Sequence, residues 1–560
     1  MVRISRNHAM SWLRSRVTLR TAIATLAVGI GVVALYNIHA HYTVTVPDYG
    51  GTLTEGIIGV PRFINPLIAV SDADRDLVAL VYSGLMATDS DGSLVPDLAE
   101  RYTLSDDGTV YTFTLRDDAV FHDGTPVTAH DVAFTVTLAQ NDLLKSPKRP
   151  NWEGVRAEAL DDLTVVFTLS EPFTPFITNT TLGVLPRHLW SDISPELIAF
   201  SNYNTFPVGS GPFRISSVDR DSNGIPYSFL LSAFDDYTRG RPYLDAVRFN
   251  VYSDALQLRD AYTRGAIDAT HAISIPDAAS AYTVPLARTF AVYFNQDFAP
   301  LFTNGSIRRA LNAATNRTEL VSTVFPGTAA PVTEPMPAET IPSTLAATSS
   351  DDNIAAAEQI LSEANWEIDP TTGILTREFD GEVEVVSFTL ATADIPELVR
   401  TAEYLQDTWA TLGIDVTIDA RSIAELNSQV IRPREYDALL FGQVVRAPHD
   451  LFAFWHSSQR NDPGLNVALY ANIEADAALA RLRTTTDPAT VAEEYDRLRD
   501  ELESDIPALF LYTPAFVYHI DPHIRGVVTE QIGTPSDRFS TIHEWYRYTQ
   551  NVWPVFTSDY

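Results

Sequence analysis

Apolar and polar residues alternate strictly from Tyr111 to Arg116, with Tyr111, Phe113 and Leu115 on one side and Thr112, Thr114 and Arg116 on the other. A period of two predicts a strand with one buried face, and Asp107-Gly108 supplies the turn before it, so the stretch reads as a hairpin. Val132, Phe134, Val136 and Leu138 then follow Thr128, which stands three residues ahead of Asp131 and fits the N-cap of a helix. The runs VEVVSFTLAT (383–392), PELVRTAEYLQDTWATLG (396–413) and IDVTIDA (414–420) predict strand, helix and strand. Together they make a βαβ unit, with Gly413 at the helix C-terminus. Residues 338–353 are poor in large apolar groups and read as a surface loop or crossover. No internal repeat stands out. With 560 residues and 45% hydrophobic content, two or three domains are expected.

Charge narrows the choice of partner. Seventy-two acidic against 39 basic residues leave a net charge of −33, which argues against binding nucleic acid or anionic lipid through the bulk surface. Only two lysines occur, Lys145 and Lys148, so nearly all positive charge is arginine. The absence of cysteine excludes disulfides, thiolate metal sites, a cysteine nucleophile and a lipidated cysteine.

The N-terminus is basic, then apolar. Arg3, Arg6, Arg14, Arg16 and Arg20 (within residues 1–20) precede an uncharged stretch, Thr21 to Ile38. As a helix that stretch spans roughly 27 Å, close to the hydrocarbon thickness of a bilayer. The arginines would hold the N-terminus in the cytoplasm and place everything after about residue 42 outside. Ile38-His39-Ala40 is a poor small-x-small cleavage site, so the reading is an uncleaved anchor, with a signal peptide as the competing one.

Several motif lookalikes carry no chemistry. His122-Asp123 and His130-Asp131 resemble paired HD dipeptides but fall within strand and helix-cap patterns. Asp89-Ser90-Asp91-Gly92 starts like a calcium loop, yet Leu94 and Val95 begin a strand where ligands would be needed. Ser210 lies between two glycines without the spacing of a nucleophile elbow or a placed histidine.

One ordered block carries a family resemblance. Gly84-Leu85, Pro96-Asp97-Leu98-Ala99-Glu100, Asp107-Gly108-Thr109, Tyr111 to Phe113, Leu115-Arg116, Phe121 to Pro126 and Thr128 to Val132 stand in the order seen in the family 5 extracellular solute-binding proteins. These are the peptide- and nickel-binding components of ABC importers. The resemblance continues through Phe63 to Leu67, Pro207 to Phe213, Arg241 to Asp245, Gly265 to Asp268, Tyr293 to Asn295, Ile307 to Leu311 and Asp505 to Tyr512. It covers about Gly51 to Arg525.

The resemblance implies an α/β, two-lobed periplasmic-binding-protein-like fold with an inserted subdomain in the first lobe. By analogy, lobe I takes residues 50–88, 206–290 and 516–560, the insert 89–205, and lobe II 291–515. It further implies capture of an oligopeptide outside the cytoplasmic membrane and delivery to an ABC permease and its ATPase subunits. A metal-chelate, sugar or lipid-headgroup receptor is the alternative on the same fold, and a sensor or chaperone-like surface protein another. No cofactor, protein-held metal or catalytic residue is called for.

The ligand question turns on FGQVVRAPHDLFAFWHSSQ, residues 441–459. Relatives commonly carry there an aspartate that holds the peptide's ammonium. Aligning Gly442 and Phe452 with the family puts Arg446 in that place and Asp450 four residues later. An arginine would repel an ammonium and favour a carboxylate or phosphate. The expected ligand-binding residues are Asp72 and Arg75, on the loop after Asn65-Pro66, with Tyr293, Asn295, Val444, Val445, Arg446, Asp450 and Trp455. Phe452 and Phe454 are further candidates for stacking on the ligand.

Overall fold

In a computed structural model, residues 24–30, 42–271, 281–342, 345, 350–379, 381–485, 487–528 and 532–554 are described. The alternation at 111–116 forms the strand Val110–Leu115, whose Tyr111, Phe113 and Leu115 are at most 2% exposed. It joins an antiparallel sheet of four strands with Ala99–Leu104, Thr164–Thr168 and Arg156–Ala159. Thr128 is the N-cap of the helix Ala129–Gln140, where its N–H and hydroxyl donate to the Asp131 carboxylate at 2.9 and 2.6 Å.

The predicted βαβ unit is present as parallel strands Ser387–Ala393 and Asp415–Arg421 around the helix Pro396–Ala410. Gly413 adopts φ 74° just past the helix end, where L side chains are strained. The run 383–392 is split at Val386, because Glu382–Val385 pairs instead with Leu375–Phe379 in a separate small sheet. The stretch 338–353 gives way to helix at Ser350, the start of Ser350–Glu363.

A mixed sheet of 12 strands spans the molecule. Its centre is the strand Ala508–Ile520, which serves two neighbourhoods in succession. Ala508 to Tyr512 pair with Arg288–Phe294, and Ala515 to His519 pair with Ala281–Pro285. These antiparallel segments are the two crossings between the lobes. One core draws on residues between Ala291 and Tyr512. The other draws on residues from Leu53 to Val284 together with Phe516 to Trp545, so the 89–205 segment shares a continuous apolar core with the first lobe.

Of the segment Thr21–Ile38, only 24–30 is described, as helix; the remainder lies outside the described residues. Among the described residues no helix is long and apolar enough to cross a membrane.

Candidate functional site between the lobes

The strand Ala438–Val444 pairs with Arg288–Phe294 and ends at the crossing. Val445 donates its N–H to Ala287 O at 3.0 Å, while Ala287 donates to Ile532 O at 2.7 Å, so one crossing residue ties the second lobe to the C-terminal segment of the first. Gly442 is required here: a Cβ would lie 2.8 Å from the Phe290 ring.

Beyond Val445 the chain turns into short helices, and the Asp450 carboxylate caps them by accepting the N–H groups of Arg446 and Ala447 at 2.8 and 3.2 Å. The Arg446 side chain leaves in another direction. It lies across Gly533, where a Cβ would meet its Nε at 2.2 Å, and its guanidinium pairs with Asp537 of the first lobe at 3.1 Å. Arg446 therefore bridges the lobes.

A cavity of about 610 Å³ opens beside it, walled by Val444, His449, Phe452 and Phe454 from one lobe and by Asn151, Phe173 and Pro175 from the other. A smaller polar chamber of about 210 Å³ lies on the other side of Arg446, against Tyr82, Asp97, Arg239 and His543. Burial raises Asp97 to about 6, against the hydrogen bond donated by Thr238, and burial lowers His543 to about 4. Arg483 closes one end of the larger cavity. Its guanidinium stacks on Phe452 at 4.1 Å and on Phe173 of the opposite lobe at 4.9 Å, and its carbonyl accepts the Thr174 N–H at 3.3 Å.

The expected site residues divide. Val444, Arg446 and Asp450 line the large cavity. Asp72 and Arg75 lie not on a loop but in the first turn of the helix Asp72–Val81, paired with each other at 2.8 Å. Ser71 and Asp74 form a capping box that starts the helix there. Tyr293, Val445 and Trp455 are 0% exposed and lie in the core of the second lobe, where the Tyr293 and Trp455 rings are 6.0 Å apart. Their strand and helix turn those faces inward. Asn295 is also sealed, with its amide donating to Arg434 O at 2.9 Å and its Oδ1 accepting the Phe298 N–H at 3.0 Å.

Sequence reasoning passed over Arg288, Arg483, Phe173 and Asp537. Each is unremarkable in its local run, and only pairing over long sequence distances reveals it. Lys148 had a signal in being one of two lysines.

The lookalikes are structural. His122 accepts the Gly209 N–H at Nδ1 (3.2 Å) and reaches Gly211 O with Nε2 (3.0 Å), and burial lowers it to about 4, so it stays neutral. Gly209 and Gly211 flank Ser210 because a Cβ at either would lie 2.0 or 2.6 Å from the carbonyl oxygens of Val81 and Leu80. Asp89 to Gly92 form a turn, with the Gly92 N–H donating to Asp89 O at 3.1 Å.

Two cores on one sheet, two crossing strands and a cavity walled from both sides define a two-lobed binding protein. The chain belongs to the bacterial extracellular solute-binding proteins, family 5, whose model (family 5 Middle) matches residues 93–463. It is 28% identical over 483 residues to the oligopeptide-binding protein AppA of Bacillus subtilis, covering 84% of this chain and 87% of that one. The structure of that AppA in complex with a nonapeptide aligns with a TM-score of 0.66 at 26% identity, over 90% of this chain and 99% of the other. The ABC transporter substrate binding protein CtaP from Listeria monocytogenes aligns with a TM-score of 0.72 at 25% identity, over 89% and 99%.

Proposed function

We propose that this chain is the extracytoplasmic receptor of an ABC importer, taking oligopeptides between its lobes and handing them to a membrane permease with its ATPase subunits. The observation that carries the reading is the cavity walled by both lobes. Its volume, about 610 Å³, lies within the range usual for small-molecule sites. The AppA relative, named for oligopeptide binding, supports peptide over other solutes.

In this reading the lobes rotate about the crossings at 285–288 and 513–515, and ligand contacts from both sides stabilise the closed state. The exposed end of the strand at Val444 offers main-chain pairing, which tolerates varied side chains, and water fills what the walls do not match. Val444, Arg446 and Asp450 touch the solute, Asp72 and Arg75 flank it, and Tyr293, Val445, Asn295 and Trp455 hold the wall from behind. The two apolar cores support a division between the lobes near residues 290 and 515. Thr21 to Ile38 tethers the protein as an uncleaved transmembrane helix.

Mass spectrometry of solutes copurifying with the full chain tests the peptide reading. Bound peptides are expected, and a metal chelate or sugar in their place would overturn it. Turnover of a peptide library would instead indicate a hydrolase. Retention in the membrane fraction through carbonate washing tests the anchor, and a soluble product starting near residue 41 would contradict it.

A further inference from the structure

Two cations beside the cleft, Arg288 and Lys148, form no ion pair with any described residue, although Asp72 and Asp537 act on them from farther away. Arg288 stands directly opposite Val444 in the antiparallel pair, so the two side chains leave the same face of the sheet, and Val444 is a wall of the large cavity. Arg288 is half-buried, and its Nε is sealed from solvent without a hydrogen-bond partner. Among the described residues no carboxylate lies within ion-pairing distance of Arg288 or of Lys148. Arg75 and Arg446, by contrast, are already paired with Asp72 and Asp537.

Lys148 sits on a loop fixed to the first lobe, where the Ser146 hydroxyl donates to Leu67 O at 2.6 Å. Its side chain is open to water, yet surrounding protein and then the charges of Arg75 and Arg446 lower its pKa, while Asp537 opposes them. Burial likewise lowers Arg288, with Asp72 opposing. A half-buried cation without a partner is costly, and an anionic ligand supplies what is missing.

Building on the solute-receptor reading, we infer that the cleft selects solutes carrying anionic groups, with Arg288 as the principal partner and Lys148 as a second cation at the opposite wall. The local cationic surface stands out in a chain of net charge −33.

Calorimetric titration tests this with acetylated pentapeptides that differ only in charge: one with a free C-terminal carboxylate and a glutamate, the other with a C-terminal amide and a glutamine. Wild type is expected to favour the anionic peptide by about ten- to a hundredfold. Arg288→Gln should erase most of that preference while still binding the amide, Arg288→Lys should restore part of it, and Lys148→Met should reduce it less. Circular dichroism confirms that the variants fold. Equal affinities in wild type, or an undiminished preference in Arg288→Gln, would overturn the inference and leave the peptide reading intact. Failure of wild type to bind either peptide would instead sink the peptide reading. Charge selection is then read from thermal shifts with glutarate against glutaramide, and the absence of an Arg288-dependent difference there overturns it too.

Discussion

Arg538 and Arg288 occupy opposite electrostatic situations some distance apart in one molecule. Arg538 is 1% exposed and its charge is answered by the protein, although its Nε, like that of Arg288, has no hydrogen-bond partner: Asp76 accepts two of its hydrogen bonds at 2.8 and 2.7 Å, and Glu55 a third at 2.9 Å. Phe539 lies under its guanidinium at 3.9 Å, and Tyr518 donates to Glu55 at 2.7 Å. Arg288 is half-buried at the cleft and has no such carboxylate among the described residues. The first arrangement closes a core around the C-terminal segment. The second leaves a charge to be completed by something that arrives. Burial of a guanidinium therefore does not by itself mark a site; the missing counter-charge does.

The largest effect should come from breaking the closed cluster. Arg538→Met leaves Asp76 and Glu55 buried without their cation, and is expected to cost about 3–5 kcal/mol in chemical denaturation. Arg288→Met should leave the denaturation midpoint nearly unchanged. Comparable losses for both would erase the distinction.

The next effect depends on pH. Burial raises Glu55 to about 7 against the pull of Arg538 and the Tyr518 hydrogen bond, because two carboxylates share one guanidinium. A carboxyl that binds its proton more tightly when folded contributes stability that is complete below its unfolded pKa of 4.5 and is lost as pH rises through about 7. Wild type should therefore lose on the order of 2 kcal/mol between pH 5 and 8 relative to Glu55→Gln. Parallel pH profiles of the denaturation midpoint would contradict this.

Arg483 is intermediate, since its aromatic contacts come from both lobes. Arg483→Ala removes stacking worth about 1 kcal/mol across the closed cleft. Stopped-flow binding should show faster solute release, about fivefold, with the association rate little changed. Slower association alone would mean that Arg483 meets the incoming solute rather than holding the lobes together.

The smallest effect is at the Arg446 bridge. Asp537→Asn breaks an ion pair whose side chains are 42% and 29% exposed, for which about 1 kcal/mol or less is expected. A destabilisation as large as that of Arg538→Met would place Arg446 in the closed class.

Local pattern made much of this fold legible. Tyr111, Phe113 and Leu115 announced their strand because the hairpin needs only near neighbours, and Thr128 with Asp131 announced a helix start for the same reason. The βαβ unit at 387–421 was visible through its change of period. The 13-residue strand Ala508–Ile520 was not legible as a shared spine, since its two halves pair with different segments more than 200 residues away.

The site was harder still. Val444, Arg446 and Asp450 stood in one run and could be found together. Arg538 lies 483 residues from Glu55 and 462 from Asp76, and Arg288 is the lone charged residue in its strand. Tyr293 and Trp455 looked like ligand contacts because aromatic residues serve equally as walls and as core, and only packing decides which.

The account rests on an anionic solute held between the lobes. The most direct test is a crystal structure of the full chain with the anionic pentapeptide bound. The account predicts the peptide in the cavity between Val444 and Phe173, with a carboxylate at hydrogen-bonding distance from the Arg288 guanidinium. Peptide bound outside that cavity, or lying within it with no anionic group near Arg288, would contradict it.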